Sequence, residues 1–302
     1  MEFFTTSAGI SVHVWDTKDE RCPVKPGVTD VSGRPFSAVM PGSTGHLNDR
    51  ASLPCVVLLH GYLETMYIFN ELIEAMKPSY RLITIDLPGH GLTDSARPDA
   101  EGRRINSLSF CADVVAGVLD KCGVEKAYIA GHSLGGYIAQ RFLGQYPDKA
   151  LGIILLCSHP YPDSPDKAED REREKKLIRA GKLIPLASAS IPKMYFEDNL
   201  RACDEKIRET VELCETHDPE GICNSIDGLR LRPDLRPILE SPAREVMLIH
   251  GDNDNFLPLE RVEEMKRLFP KVRYTLIPSS GHNAFIEQQS AVIDAIDGFV
   301  LG

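Results

Sequence analysis

The sequence predicts an α/β fold, a mostly parallel, doubly wound sheet whose strand rhythm is interrupted once by helices. Three observations carry this. Short continuous apolar runs alternate with amphipathic stretches of helical period, the pattern of parallel strands buried on both faces. One such run, Ala127 to Ala130, passes through Gly131-His132-Ser133-Leu134-Gly135 into a helical pattern with Ile138, Ala139 and Phe142 on one face. From residue 159 to residue 242 the strand rhythm stops and only helical patterns remain.

Taken in order, Phe3–Thr6 and Ile10–Trp15 flank Ser7-Ala8-Gly9 with period-two alternation and read as a β-hairpin. Residues 17–54 are rich in Pro, Gly, Ser and Asp without periodicity, and read as a long irregular surface insertion. Cys55-Val56-Val57-Leu58-Leu59 is a buried strand ending at His60-Gly61-Tyr62. A helix from Ile68 to Met76, a strand from Arg81 to Asp86 and the turn-rich Leu87–Ser95 follow. Leu108–Lys121 is an amphipathic helix stopped by Gly123, and Leu151–Cys157 is another buried strand. Within the interruption, Asp166–Arg179 is a run of charge that reads as a solvated helix face. Further helical pieces are expected over Met194–Leu200, Glu205–Thr216 and Pro219–Arg230. The sheet resumes with Glu245–His250, a helix Leu259–Phe269, a strand Val272–Ile277 and a closing helix Phe285–Leu301. Residues 1–158 and 243–302 thus form a core, and residues 159–242 a helical cap over the strands' C-terminal ends. Ligands of open α/β sheets bind at those ends.

Composition narrows the function. The chain has 302 residues, 42% hydrophobic and 26% charged, with a formal net charge of −10, an ordinary globular profile. That charge argues against a nucleic-acid partner. No apolar stretch has the roughly 20 residues that a membrane span needs. The first residues lack the basic and apolar regions of a secretory signal. None of the eight cysteines forms a Cys-x-x-Cys pair, which fits reduced thiols and a cytoplasmic location. Cys203, Cys214, His217 and Cys223 cluster in sequence, but their spacing matches no zinc module, so no metal is expected. Oligomeric state has no signature in the sequence.

Gly131-x-Ser133-x-Gly135 between a strand and a helix has the spacing of a nucleophile elbow. A serine on so sharp a turn needs residues without bulk two before and two after it. Its hydroxyl then projects clear, above a helix N-terminus suited to a developing oxyanion. Such a serine requires a base, and the base a third group to fix its tautomer. His282 follows the last strand, where a loop-borne imidazole swings over Ser133. Asp252 and Asp254 both follow strand Glu245–His250, and either carboxylate fits the residue pattern. The oxyanion donors should be the backbone N–H groups of Leu134, directly after the nucleophile, and of Tyr62, in the loop after Cys55–Leu59. His60 is read as bonding its own loop.

With these residues in place the chain resembles the α/β-hydrolase fold enzymes that carry a helical cap. The resemblance covers Phe3–Leu301 except residues 17–54, a longer insertion than that family usually has. It rests on Leu59-His60-Gly61-Tyr62, Asp86-Leu87-Pro88-Gly89-His90-Gly91, Gly131-His132-Ser133-Leu134-Gly135-Gly136, and Gly251-x-x-Asp254 with Gly281-His282. It implies Asp254 rather than Asp252 as the third member of a Ser133–His282–Asp254 triad. It further implies a carboxylesterase-like hydrolase that needs no cofactor and acts on a small-molecule ester or thioester. Serine at the elbow disfavours the haloalkane dehalogenases and soluble epoxide hydrolases, which carry aspartate there. The same triad serves carbon–carbon hydrolases and lyases, and some members of this fold are non-catalytic small-ligand receptors. Met194, Tyr195 and Phe196 are candidates to line the pocket. His159 is expected near its mouth and is given no role.

Overall fold

A computed structural model describes residues 1–18 and 53–302 of the chain. The insertion expected over residues 17–54 lies almost wholly outside them. The described residues form an eight-stranded sheet in the order β1-β2-β4-β3-β5-β6-β7-β8. The strands are β1 (Glu2–Ser7), β2 (Ile10–Asp16), β3 (Cys55–Leu59), β4 (Arg81–Ile85), β5 (Ala127–His132), β6 (Ala150–Leu156), β7 (Glu245–Gly251) and β8 (Arg273–Ile277). β3 to β8 run parallel to their neighbours, whereas β1 and β2 pair antiparallel and β2 joins the sheet antiparallel to β4. Ala8 and Gly9 both have positive φ, 46° and 81°, so the β1–β2 connection is a two-residue turn whose twist matches its strands.

The sheet is buried on both faces because successive side chains of a strand point to opposite sides. Val57, Leu59, Ile129, Ile153, Leu155 and Leu248 face one core, shared with helices α2 (Leu108–Lys121), α3 (Leu134–Gln145) and α9 (Leu259–Leu268). Val56, Leu58, Ala130, Ile154, Leu156 and Ile249 face the other, shared with α1 (Asn70–Met76) and α11 (Gln289–Val300). Each such Val, Leu or Ile side chain contributes roughly 1.5–3 kcal/mol by leaving water. The helix expected over Phe285–Leu301 is broken: α10 (Ala284–Glu287) ends at Gln288, whose ψ of 53° is not helical, and α11 begins after it.

Between β6 and β7 lie α4 (Pro165–Arg179), α5 (Leu183–Ser190), α6 (Asp204–Leu213), α7 (Pro219–Arg230) and α8 (Arg236–Glu240). α4 to α7 share a third apolar core, in which Ile178, Ile191, Met194, Ile207, Ile222 and Ile226 meet Leu63 of the β3–α1 loop, whereas Leu239 of α8 joins the first core. The sequence reading missed α5 and α8, and Met194–Leu200 proves to be parts of two 3₁₀ turns rather than an α-helix. It also misjudged α4. That helix is not simply solvated: Lys175 is buried against Asp227 of α7 at 2.7 Å, and the Arg171 side chain is 11% exposed. Charge alone does not separate a solvated face from one whose charges are paired between helices.

Candidate active site

The parallel strands deliver their C-terminal ends to one rim, and the chemically distinctive residues gather there. Ser133 directly follows β5 with φ 48° and ψ −107°, a conformation that side-chain-bearing residues rarely hold. Close packing enforces it. A Cβ on Gly131 would lie 2.1 Å from the Gly135 carbonyl oxygen, and one on Gly135 would lie 2.1 Å from that of Leu59. Hydrogen bonds from both flanking strands hold the turn: Ser133 N–H donates to Leu156 O (3.0 Å), Gly135 N–H to His60 O (3.1 Å) and Ser158 Oγ–H to Ser133 O (2.9 Å). Leu63, Cys157 and Ser279 also have positive φ, and each sits in the loop after a strand at this rim.

Across the rim, His282 Nδ1 lies 2.7 Å from Asp254 Oδ2, and both side chains are buried. The other oxygen, Asp254 Oδ1, accepts from the backbone N–H groups of Phe256 (2.7 Å) and Leu257 (3.0 Å). Asp252 instead accepts from Ser280 N–H and the Asn253 side chain. Burial by itself would lower the pKa of His282, but the charge and hydrogen bond of Asp254 outweigh it and the net shift is upward. Burial would likewise raise Asp254, and the His282 partner brings it below its ordinary value. The Ser133 hydroxyl and His282 Nε2 make no hydrogen bond among the described residues, and both residues line one cavity of about 610 Å³. Tyr62 and Leu134 line it too, and their backbone N–H groups have no acceptor among the described residues.

Of the other residues singled out above, His159 and Met194 line the cavity, whereas Tyr195 and Phe196 do not. His159 Nδ1 accepts from Tyr161 N–H (3.2 Å), so its Nε2–H donates to the Tyr137 hydroxyl (3.0 Å). Burial pushes its pKa down to about 3. His60 does bond its own loop, donating from Nδ1 to Gly61 O and accepting at Nε2 from Leu87 N–H. Cys203, Cys214, His217 and Cys223 form no metal-ligand cluster among the described residues. Cys157, Asp254 and His282 do present ligand atoms within 4.8 Å of one another. Burial holds the Cys157 thiol well above its usual pKa.

One pair escaped the sequence reading altogether. Glu64 and His132 have fully buried side chains and meet at 2.9 Å. Glu64 Oε2 also accepts from Gly61 N–H (2.6 Å), and His132 Nε2 lies 3.0 Å from the His282 carbonyl oxygen. Each nitrogen of His132 therefore faces an acceptor, and a ring with hydrogen on both satisfies both. The pair ties the loop bearing Tyr62, the elbow bearing Ser133 and the loop bearing His282 into one unit. The only trace in the sequence was that His132 adjoins the candidate nucleophile Ser133; nothing local links it to Glu64.

With this geometry in view, the comparisons with known proteins are direct. Residues 54–289 match the model of the alpha/beta hydrolase fold family. The chain belongs to that family, and it is an enzyme of the hydrolase class. It is similar to a pimeloyl-[acyl-carrier protein] methyl ester esterase of Nitrosomonas europaea, with 26% identity over 83% of this chain and 98% of that one. It is also similar to a putative 2-succinyl-6-hydroxy-2,4-cyclohexadiene-1-carboxylate synthase of Bacillus subtilis, with 28% identity over 77% and 85% of the two chains. Among solved structures, a malate-bound thermophilic esterase from Thermogutta terrifontis superposes with a TM-score of 0.80. It is 25% identical, with 99% of this chain and 97% of that one covered.

The Glu64→Gln variant isolates the buried pair. Removing one partner of a buried ion pair costs about 3–5 kcal/mol, and urea unfolding should show a loss of that order. Burial acts to raise the Glu64 pKa, but His132 and Gly61 bring it below 4.5. Its contribution should therefore be complete above pH 4.5 and disappear as pH falls through the lower folded value. The difference between wild type and Glu64→Gln should narrow over that acid range.

Proposed function

We propose that this chain is a serine hydrolase that cleaves an ester or thioester of a small carboxylic acid through an acyl-enzyme on Ser133. The observation that carries the reading is the 2.7 Å contact of buried Asp254 with His282 Nδ1, in the cavity that also holds strained Ser133. With Nδ1–H committed to Asp254, His282 Nε2 is left as the base. It takes the Ser133 proton as Oγ bonds to the substrate carbonyl carbon. The N–H groups of Tyr62 and Leu134 receive the oxyanion, and removing one such donor typically costs about 10²–10³ in kcat. The tetrahedral intermediate collapses as His282 returns the proton to the leaving alcohol or thiol. A water, deprotonated by His282, then releases the acid and regenerates Ser133. In this reading residues 159–242 form a cap over a core of residues 1–158 and 243–302. The reaction needs no cofactor, metal or nucleic acid. The described cysteines are all free, which supports a cytoplasmic enzyme. Among the described residues no helix is long and apolar enough to cross a membrane.

The test is hydrolysis of p-nitrophenyl esters of increasing acyl length by wild type and Ser133→Ala. The expected result is a chain-length optimum in the wild type and a loss of at least about 10³-fold in kcat in the variant. Turnover that survives Ser133→Ala would overturn the reading. Ester-inactive wild type that still cleaves a carbon–carbon bond through Ser133 would transfer the triad to that chemistry. Inactivity on both would favour a receptor on this fold.

The pH profile supplies an independent check. His282 must be neutral to act as base, and its pKa is raised above 6.5. The acid limb of kcat/KM should therefore fall above pH 6.5, with activity lost as pH decreases through it. Asp254→Asn should remove the upward shift and lower kcat by about 10⁴-fold.

A further inference from the structure

The cavity holding Ser133 and His282 is cationic in a chain whose net charge is −10. Of the charged residues that line it, Arg236 and Arg261 are each paired with a carboxylate that does not, Asp234 and Glu264. Five further charged residues line it: Lys167, Arg171 and Arg232 against Asp163 and Glu174, an excess of one positive charge. Asp163, its side chain 3% exposed, serves both guanidinium groups: Oδ1 meets Arg232 at 2.6 Å and Oδ2 meets Arg171 at 3.3 Å. Arg232 is further fixed by the carbonyls of Tyr161 and Leu229 and lies 4.4 Å from the centre of the Tyr137 ring.

Arg171 is held differently. Its remaining contact, to Glu174, is long at 3.4 Å, and its Nη2 donates to nothing among the described residues. That nitrogen keeps contact with solvent and is free to donate to a bound group. Arg171 stands 5.6 Å over the centre of the Tyr62 ring, on the loop that carries the proposed oxyanion donor. Lys167 lies one turn earlier on α4, at the i−4 position that shares a face with Arg171. Its ammonium has no partner among the described residues.

From this arrangement we infer that the site takes an anionic substrate, an ester bearing one free carboxylate that Arg171 and Lys167 bind beside the reacting carbonyl. The planar carboxylate matches the idle edge of a guanidinium fork. Its single charge balances the single excess, which a doubly charged phosphate would exceed. Asp163 and Glu174 do not fill this place, because Asp163 is divided between two arginines and Glu174 reaches only one long contact. The inference rests on the Ser133 hydrolase reading for the reaction and on the cavity's charge for the specificity.

The test compares methanol release from monomethyl glutarate with that from uncharged dimethyl glutarate, at pH above the limb set by His282. A third ester, the acetyl ester of glycolate, carries the carboxylate on the alcohol side. Charge-assisted hydrogen bonds of this kind should favour an anionic ester over the neutral one by about tenfold to a hundredfold in kcat/KM. Whichever anionic ester is preferred identifies the side that carries the acid. Arg171→Gln should collapse the preference, mainly through KM of the anionic ester. Lys167→Gln, at a half-buried and unpaired position whose loss does not threaten folding, should reduce it several-fold, and raised salt should weaken it in the wild type. Equal or better use of the neutral ester by the wild type would overturn the inference, as would a preference untouched by both substitutions. Ser133→Ala is run beside them: turnover that survives it contradicts the hydrolase reading itself, a result distinct from absent charge preference in a Ser133-dependent enzyme.

Discussion

The close passage of β5 and α3 at Ser133 is the constraint on which the rest of the rim depends. Strand and helix approach so tightly that neither Gly131 nor Gly135 has room for a Cβ. Ser133 must then adopt a backbone conformation that costs about 1–3 kcal/mol, and its surroundings have to over-determine it. They do so through His60, directly after β3, and Leu156, the last residue of β6, whose carbonyls accept from Gly135 and Ser133. The same bonds fix where the loops after β3 and β6 begin. Sheet register thus places Tyr62, on the loop after β3, and Leu134, at the start of α3, and packing of their side chains against His90, Arg171 and the first core holds them there.

The Glu64–His132 pair extends this logic from the elbow to the two outer loops. Neither group touches solvent, and each spends its hydrogen bonds on backbone that bears a candidate catalytic group. A buried pair of this kind contributes little net stability compared with a packed apolar pair of the same size. Its contribution here is relative position. The loops after β3, β5 and β8 cannot move independently without stripping a buried charge of its partner.

The parallel strands were legible because burial on both faces writes itself as unbroken apolar runs such as Cys55–Leu59 and Glu245–His250. The elbow was legible because its glycines answer a steric demand that few other residues meet. What lay hidden was set by distance in sequence rather than by local pattern. Glu64 and His132 are 68 residues apart, and nothing near either predicts the other. The break at Gln288 is a backbone event inside a continuous helical pattern. The charged run of α4 was read as solvated because Lys175 meets Asp227, and Arg171 the Tyr62 ring, only once α7 and the Tyr62 loop have packed against the helix. The choice between Asp252 and Asp254 likewise came from resemblance, and the structure distinguishes their hydrogen bonds.

Everything said of the reaction rests on Ser133 becoming the atom that carries the acyl group. The most direct measurement is intact-mass and peptide-level mass spectrometry of the protein after exposure to an alkyl fluorophosphonate, with Ser133→Ala alongside. The account predicts one adduct per chain, located on the peptide containing Ser133, absent from the variant, and formed more slowly as pH drops below the His282 limb. Adduct formation on another residue, or an unlabelled wild type that still turns over ester, would contradict it.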